Sequence, residues 1–173
     1  PPMNTLLLWT ATAITRSFAP VPGLKPVSNA PVSVSRAEAL AYCRWRGRRL
    51  ASEAELHRAL YTSPQGGLRP RPWGEAPPEP GRHGAFALSS FSPAPVGSHP
   101  DGVSAWGLHD AIGNGWEWTA TPFRPLPGFE PYIRTYPGYS ADFFDDRHFV
   151  MLGASWATPT RLVRRSFRNW FQG

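Results

Sequence analysis

Two stretches of the chain repeat apolar residues at helical spacing, and each begins with a serine followed three residues later by a glutamate. This is the spacing of a capping box, in which the two side chains satisfy backbone N–H groups at a helix start. The boxes are Ser35/Glu38 and Ser52/Glu55. Gly47 and Pro64 end the two stretches. The pattern predicts short helices over 35–46 and 52–61, whose Ala-rich stripes are packing faces rather than binding sites.

The best strand candidates lie in the C-terminal half. Residues 147–152 and 162–168 are rich in aromatic and β-branched side chains, which favour strands. Residues 106–110 and 114–118 are typical of short strands joined to tight turns, because glycines alternate there with tryptophans and polar residues.

A long middle segment shows no period at all. Residues 63–100 contain nine prolines, and a stretch of that length inside a compact domain is usually functional or held in place by anchors. Trp73, Phe86 and Phe91 are the candidate anchors. The pattern therefore predicts a packed, loop-rich domain with little regular structure.

Composition narrows the class of protein. A length of 173 residues predicts one domain, and 41% hydrophobic with 13% aromatic residues argues against intrinsic disorder. No apolar run approaches the ~20 residues of a membrane span. Cys43 is the only cysteine, which excludes an internal disulfide and a multi-thiolate zinc site. The expected location is the cytoplasm.

The charge is strongly basic. The net charge is +6 and the pI is about 10.2, with 17 arginines and one lysine. A nucleic-acid binder can have such a pI, but the arginines are spread along the chain and no zinc finger, basic zipper region or RNA-recognition motif is present. We interpret the charge as an arginine bias on solvated faces, which argues against a nucleic-acid partner.

An ordered series of motifs makes the sequence specific. The series runs PVSVS (31–35), EA (38–39), AYC (41–43), WRGRRL (45–50), SEAE (52–55), PWG (72–74), PVGS (95–98), WGLHD (106–110), GNGWEWT (113–119), GASW (153–156) and RSFRNW (165–170). In this order and spacing it resembles the formylglycine-generating-enzyme-type domain. That resemblance implies an α+β fold, a loop-rich variant of the C-type lectin fold with two short helices and a small antiparallel sheet.

Within that superfamily the chain is most similar to the C-terminal domain of the ergothioneine-pathway sulfoxide synthases and their selenoneine-synthase relatives. The distinguishing stretches are TPF (121–123), PGF (127–129), YSADFFD (139–145) and RNWF (168–171). The resemblance implies a non-haem iron, O₂-dependent oxidoreductase that joins a thiol or selenium donor to the imidazole of hercynine, the trimethyl betaine of histidine.

The resemblance implies a substrate site near the C-terminus. Asn169 and Trp170 match the hercynine-contacting pair of the family; an aromatic face suits a quaternary ammonium because that group cannot donate a hydrogen bond. The alternative is that Trp170 is core and Asn169 a turn residue. Phe171 stands where one subfamily has an aspartate that binds γ-glutamylcysteine, which favours a simpler thiol or a selenium donor.

Two further roles follow from the resemblance. Tyr132 and Tyr136 lie in the region where family members place a proton-donating tyrosine, and Tyr132 is the first candidate. Alternatively, these residues pack under a Pro-rich loop. Asn114 and Glu117, with nearby backbone carbonyls, resemble a calcium-binding corner made of oxygen ligands. Alternatively, Glu117 forms an ion pair with an arginine.

The chain also departs from the family pattern in ways that bear on its function. No two of the five histidines have the i, i+4 spacing of the family's iron-binding pair, so we expect Fe(II) to be held outside this chain, in a missing N-terminal domain. Cys43 alone cannot supply the cysteine pair of a formylglycine-generating enzyme. We expect residues 1–30 to lead into a domain at 31–173 that is truncated at both ends. The alternative function is a non-enzymatic lectin-like binding module, such as a retroelement variable protein.

Overall fold

The structure, a computed structural model, describes residues 31–92, 94–132, 134–135 and 141–173. The first regular elements among these residues are the two predicted helices.

Helices α1 (Arg36–Trp45) and α2 (Glu53–Tyr61) confirm the predictions. Both capping boxes form: the Glu38 N–H donates to Ser35 Oγ at 3.3 Å, and the Ser35 N–H donates to Glu38 Oε2 at 2.7 Å. The α2 box has the same pattern. Gly47 follows α1 at φ +62°, a left-handed conformation that glycine adopts without a Cβ clash.

A three-stranded antiparallel sheet follows later in the chain, with β2 in its centre. Its strands are β1 (Trp116–Pro122), β2 (His148–Gly153) and β3 (Asn169–Gln172). Together with the two helices, this sheet confirms the predicted α+β architecture.

The strand prediction for 162–168 is wrong. The chain there makes a 3₁₀ turn, Thr160–Leu162, and then a turn in which the Phe167 N–H donates to the Arg164 carbonyl at 3.0 Å. Val163 is buried with Phe86 in a small core cluster, so its apolar side chain anchors a turn instead of lining a strand. Residues 106–110 likewise form a turn and no strand.

Helix α2 packs on one face of the sheet, and α1 lies toward the other face, where it meets Trp118. Paired residues of antiparallel strands share a face, and Val150 and Leu152 of β2 belong to one buried cluster with Leu60 of α2. Trp118 of β1 packs on the opposite side, against the cluster that contains Cys43 of α1. We call these sides the α2 face and the α1 face.

The proline-rich segment is anchored by two of its three predicted aromatics. Phe86 is fully buried, and the Trp73 ring stacks on His83 with centroids 4.4 Å apart. Phe91 is 85% exposed, so its prediction as an anchor is wrong. The chain leaves the core just before it, at Ala87 and Leu88, which both have positive φ.

Candidate ligand-binding site

Trp170 lies at the centre of a group of aromatic side chains on the α2 face. It pairs with Val150 across the sheet. The Phe123 ring stacks on the indole with centroids 4.8 Å apart and planes inclined by 11°. Phe143 contacts the indole at 5.2 Å and 42°. Trp170 is half-buried, so part of its surface stays accessible.

Three more rings extend this group. Phe144 contacts Phe123 at 4.9 Å, Phe129 contacts Phe144 at 5.3 Å, and His148 meets the edge of Phe143 at 5.1 Å. We call the six residues the aromatic cluster: Phe123, Phe129, Phe143, Phe144, His148 and Trp170. Aromatic faces attract cations through the ring quadrupole, without any hydrogen bond from the cation.

Backbone hydrogen bonds hold the rings in place. Phe123 follows β1 directly, beyond an irregularity in the pairing of β1 with β2, and its N–H donates to the His148 carbonyl at 2.7 Å. Phe143 and Phe144 lie in a turn in which the Phe144 N–H donates to the Ala141 carbonyl at 3.1 Å. Two separate segments therefore bring their rings to Trp170.

A fixed negative charge borders the aromatic cluster. The Asp145 carboxylate is bonded to His148 Nδ1 at 2.9 Å and accepts the Arg147 N–H at 2.9 Å. The His148 contact is the main cause that lowers the pKa of Asp145 to about 2, and the backbone N–H groups add to it. Asp145 is therefore ionised at neutral pH beside the rings.

An ion pair also borders the aromatic cluster, at Phe123. Arg168 donates to both carboxylate oxygens of Glu53, at 2.5 and 2.9 Å, and its guanidinium carbon lies 5.1 Å from the centroid of the Phe123 ring. Glu53 is the first residue of α2. The entry to β3 is thereby joined to the start of a helix that precedes it by more than one hundred residues.

The structure separates the three residues predicted to bind substrate. Asn169 pairs with Met151 and Phe171 pairs with Phe149, so both belong to the α1 face, opposite Trp170. Phe171 is 65% exposed and meets the Trp118 ring at 6.3 Å. One ligand can contact Asn169 and Trp170 together only by lying across the edge of β3.

A cavity of about 560 Å³ opens on the α1 face. It brings together Phe171, Asn114 and Glu117, which the sequence placed in two different sites. Trp116 and Trp156 contribute aromatic walls.

Asn114 and Glu117, the predicted calcium ligands, are both buried. The Asn114 amide oxygen accepts the Ala94 N–H at 2.8 Å, and its amide nitrogen donates to the Ala94 carbonyl at 3.1 Å. A calcium ion would have to share that oxygen. Among the residues that the structure describes, no three His, Cys, Asp or Glu side chains come together as metal ligands. The calcium site stays a prediction.

The predicted proton donors are placed only in part. Tyr132 is 71% exposed in the segment after β1. Tyr136 lies outside the described residues.

Sequence reasoning did not name Phe123, Phe143, His148, Glu53 or Arg168 as site residues. Four of them fall in or beside the stretches that distinguish the chain, TPF, YSADFFD and RNWF, so the motifs did carry the signal. Glu53 belongs to the SEAE motif of the family series, but there it has the pattern of an ordinary residue in the first turn of a helix.

Comparison with known proteins decides the family. A family model described as the sulfatase-modifying factor enzyme 1-like domain matches residues 9–173. The chain belongs to this family. The predicted resemblance to formylglycine-generating-enzyme-type domains is thereby confirmed.

Among members with similar sequences is the hercynine oxygenase of Mycolicibacterium smegmatis, 41% identical over 160 residues that cover 87% of this chain and 35% of that protein. The ergothioneine biosynthesis protein 1 of Neurospora crassa is 44% identical over 84 residues, or 48% of this chain and 9% of that protein. The chain thus spans about a third of the length of the hercynine oxygenase.

A solved structure supports the fold. PvdO from Pseudomonas aeruginosa aligns with a TM-score of 0.59 and 23% identity, over 88% of this chain and 60% of that one. At this identity the likeness shows the family's fold alone. Neither α-helix in the described ranges has the length and apolar character needed to cross a bilayer.

Proposed function

We propose that this chain is the substrate-binding domain of an ergothioneine-pathway enzyme that acts on hercynine. The observation that carries the proposal is the aromatic cluster around Trp170 with ionised Asp145 at its border. Hercynine carries a trimethylammonium group, which rings and a nearby carboxylate can bind although it donates no hydrogen bond. The 41% identity to a protein named hercynine oxygenase supports the same substrate.

The complete enzyme would use Fe(II) and O₂ to form a C–S or C–Se bond on the hercynine imidazole. Three of the five described histidines are engaged in other contacts: His83 stacks on Trp73, while His99 and His148 lie against aspartates. The described residues also bring no three His, Cys, Asp or Glu side chains together as metal ligands. These residues do not fit an iron site, and we place the iron in another part of the complete protein. The domain described here binds and orients hercynine, in a cytoplasmic protein.

The donor substrate would approach from the other side. Phe171 lies on the α1 face, so a thiol or selenium donor that touches it comes from the side of α1, while the trimethylammonium contacts the α2 face. The two substrates would then meet at the edge of β3.

Hercynine binding to the full-length protein tests the proposal. We expect Trp170→Ala to weaken binding by ~0.5–2 kcal/mol, or about 2- to 30-fold in Kd, the range for a cation over an aromatic ring. Asn169→Ala should cost about 1–3 kcal/mol if its amide pairs with the substrate. Isothermal titration measures both. Trp45→Ala is the matched control, since Trp45 is 66% exposed on α1.

A melting curve separates binding from packing. Trp170 contacts two rings, so a pure core role predicts a loss of about 3–5 kcal/mol in stability for Trp170→Ala, with affinity unchanged in the folded fraction. Trp170→Phe keeps a ring against Phe123 and should preserve more of the stability than of the affinity. Full affinity in both alanine variants would remove the assignment.

Tyr132 is proposed as the proton donor of the reaction. Tyr132→Phe removes only the hydroxyl, so we expect a fall in turnover of about 10²- to 10⁴-fold, the usual contribution of general acid catalysis, with an unchanged Kd for hercynine. Single-turnover kinetics on the full-length enzyme measures the first quantity and titration the second. Unchanged turnover would transfer the role to another residue.

A further inference from the structure

The ion pair between Arg168 and Glu53 is held in a fixed geometry. The two side chains are 16% and 17% exposed, and the guanidinium also donates to the Arg124 carbonyl at 3.2 Å. The Glu53 N–H donates to Thr121 Oγ1 at 2.9 Å, so the carboxylate-bearing residue is itself tied to β1. Each partner is therefore fixed by a second contact.

The contacts lead from this pair to Trp170 without a gap. The guanidinium lies over the Phe123 ring, and the Phe123 ring stacks on the indole. A planar guanidinium that binds a carboxylate with two parallel hydrogen bonds has one orientation. The ring that it contacts has correspondingly little freedom.

Stability alone does not account for the pair. Removing two charges from water costs free energy that their mutual attraction only about offsets, so replacing such a pair with apolar residues is often neutral. The pair has two effects on the site instead. It fixes the position of Phe123, and it neutralises the Arg168 charge, which would otherwise repel a cation near the same rings.

We propose that Arg168 and Glu53 are positioning residues that set the orientation of Trp170 through Phe123. The proposal rests on the proposed function, because Trp170 is taken to bind the trimethylammonium group of hercynine. Neither residue needs to touch the substrate.

The test uses the full-length protein labelled with 5-fluorotryptophan, with Arg168→Lys and Glu53→Gln as variants. Lysine cannot make the two parallel bonds, and glutamine leaves the Arg168 charge unpaired. We expect the ¹⁹F resonance of Trp170, assigned by its loss in Trp170→Phe, to shift in both variants, while that of Trp45 does not. The Kd for hercynine should rise about 3- to 10-fold, the scale of a cation–aromatic contact.

Arg49→Lys is the matched control. Arg49 makes the same two-bonded contact with Glu55, at 2.8 and 2.7 Å, but the pair is far more exposed. The Arg49 guanidinium also donates to the Leu50 carbonyl, and both of these partners lie outside the aromatic cluster. This variant should leave the Trp170 resonance in place and the Kd within about twofold, since exposed pairs contribute little.

A double variant, Glu53→Leu with Arg168→Met, guards against unfolding caused by one unpaired charge. It should fold, shift the Trp170 resonance and weaken binding. An unmoved Trp170 resonance in the folded variants overturns the proposal, whether or not the affinity falls. If the wild-type protein binds no hercynine, the proposed function fails, while the resonance still reports on the positioning.

Discussion

Helices α1 and α2 are of similar length and pack toward opposite faces of the sheet, yet only α2 contributes large buried side chains to the core. Helix α2 contributes large side chains, Leu56, Leu60 and Tyr61, all buried. Burial raises the pKa of Tyr61 to about 12. The buried residues of α1 are Ala39 and Cys43.

The difference follows from the volume of the side chains. An alanine and a cysteine cannot fill the space that two leucines and a tyrosine fill, and the 560 Å³ cavity lies on the α1 side, lined by Ala39 and Trp118. The densely packed α2 face carries the aromatic cluster, whose rings need fixed positions. The α1 face carries Phe171, where we place the donor. The two sides of one small sheet thus differ in how densely their side chains pack.

Truncating one leucine on each helix tests whether the two faces differ in packing. Leu60→Ala, at a fully buried site on α2, should cost ~2–5 kcal/mol of unfolding free energy because a cavity remains. Leu40→Ala is the matched change on α1, where the leucine is only half-buried, and it should cost about 1 kcal/mol. Urea unfolding of both variants measures the two values. Equal losses of unfolding free energy would mean that side chains pack as densely on the α1 face as on the α2 face.

Acid titration compares the two capping boxes, and the expected change in stability is smaller than for the leucine truncations. Arg49 and the backbone of Ser52 lower the pKa of Glu55 to about 2. The stabilisation by ionised Glu55 is therefore complete above about pH 4.5, its usual pKa, and is lost as the pH falls toward 2. In the capping box of α1, hydrogen bonds from Ser35 lower the pKa of Glu38. At Glu55, by contrast, the largest cause is the hydrogen bond from Arg49.

We therefore expect the melting temperature of Glu55→Gln to fall below that of the wild type at neutral pH and to approach it near pH 2. Glu38→Gln should show the same convergence with a smaller starting difference. Melting curves between pH 7 and pH 2 measure both. A difference that stays constant with pH would show that the carboxylate charge of Glu55 does not stabilise the helix.

The helices could be predicted from the sequence because their signals are local. A serine and a glutamate three residues apart fix each start, and both boxes form as expected. Phe91 shows where such reasoning fails: an aromatic residue among prolines predicts an anchor, but Phe91 is 85% exposed and follows two residues with positive φ.

The candidate site was only half predictable. Trp170 was found through its motif, but its neighbours depend on a stacked ring from another segment and on an ion pair across 115 residues. The misplaced strand at 162–168 also hid a simple consequence. With β3 at Asn169–Gln172, the two-residue period of a strand places Asn169 and Trp170 on opposite faces.

Because Arg168 and Glu53 are far apart in the sequence, their ion pair can form only late in the synthesis of the chain. At about 5–20 residues per second, the 115 residues between them take roughly 6 to 23 s to make. Until residue 153 has been made, α2 has its own capping box but no complete β2 to cover its leucines. The Trp118 indole N–H likewise donates to the Val34 carbonyl across 84 residues. Because contacts such as these join positions far apart in the sequence, folding should be slow.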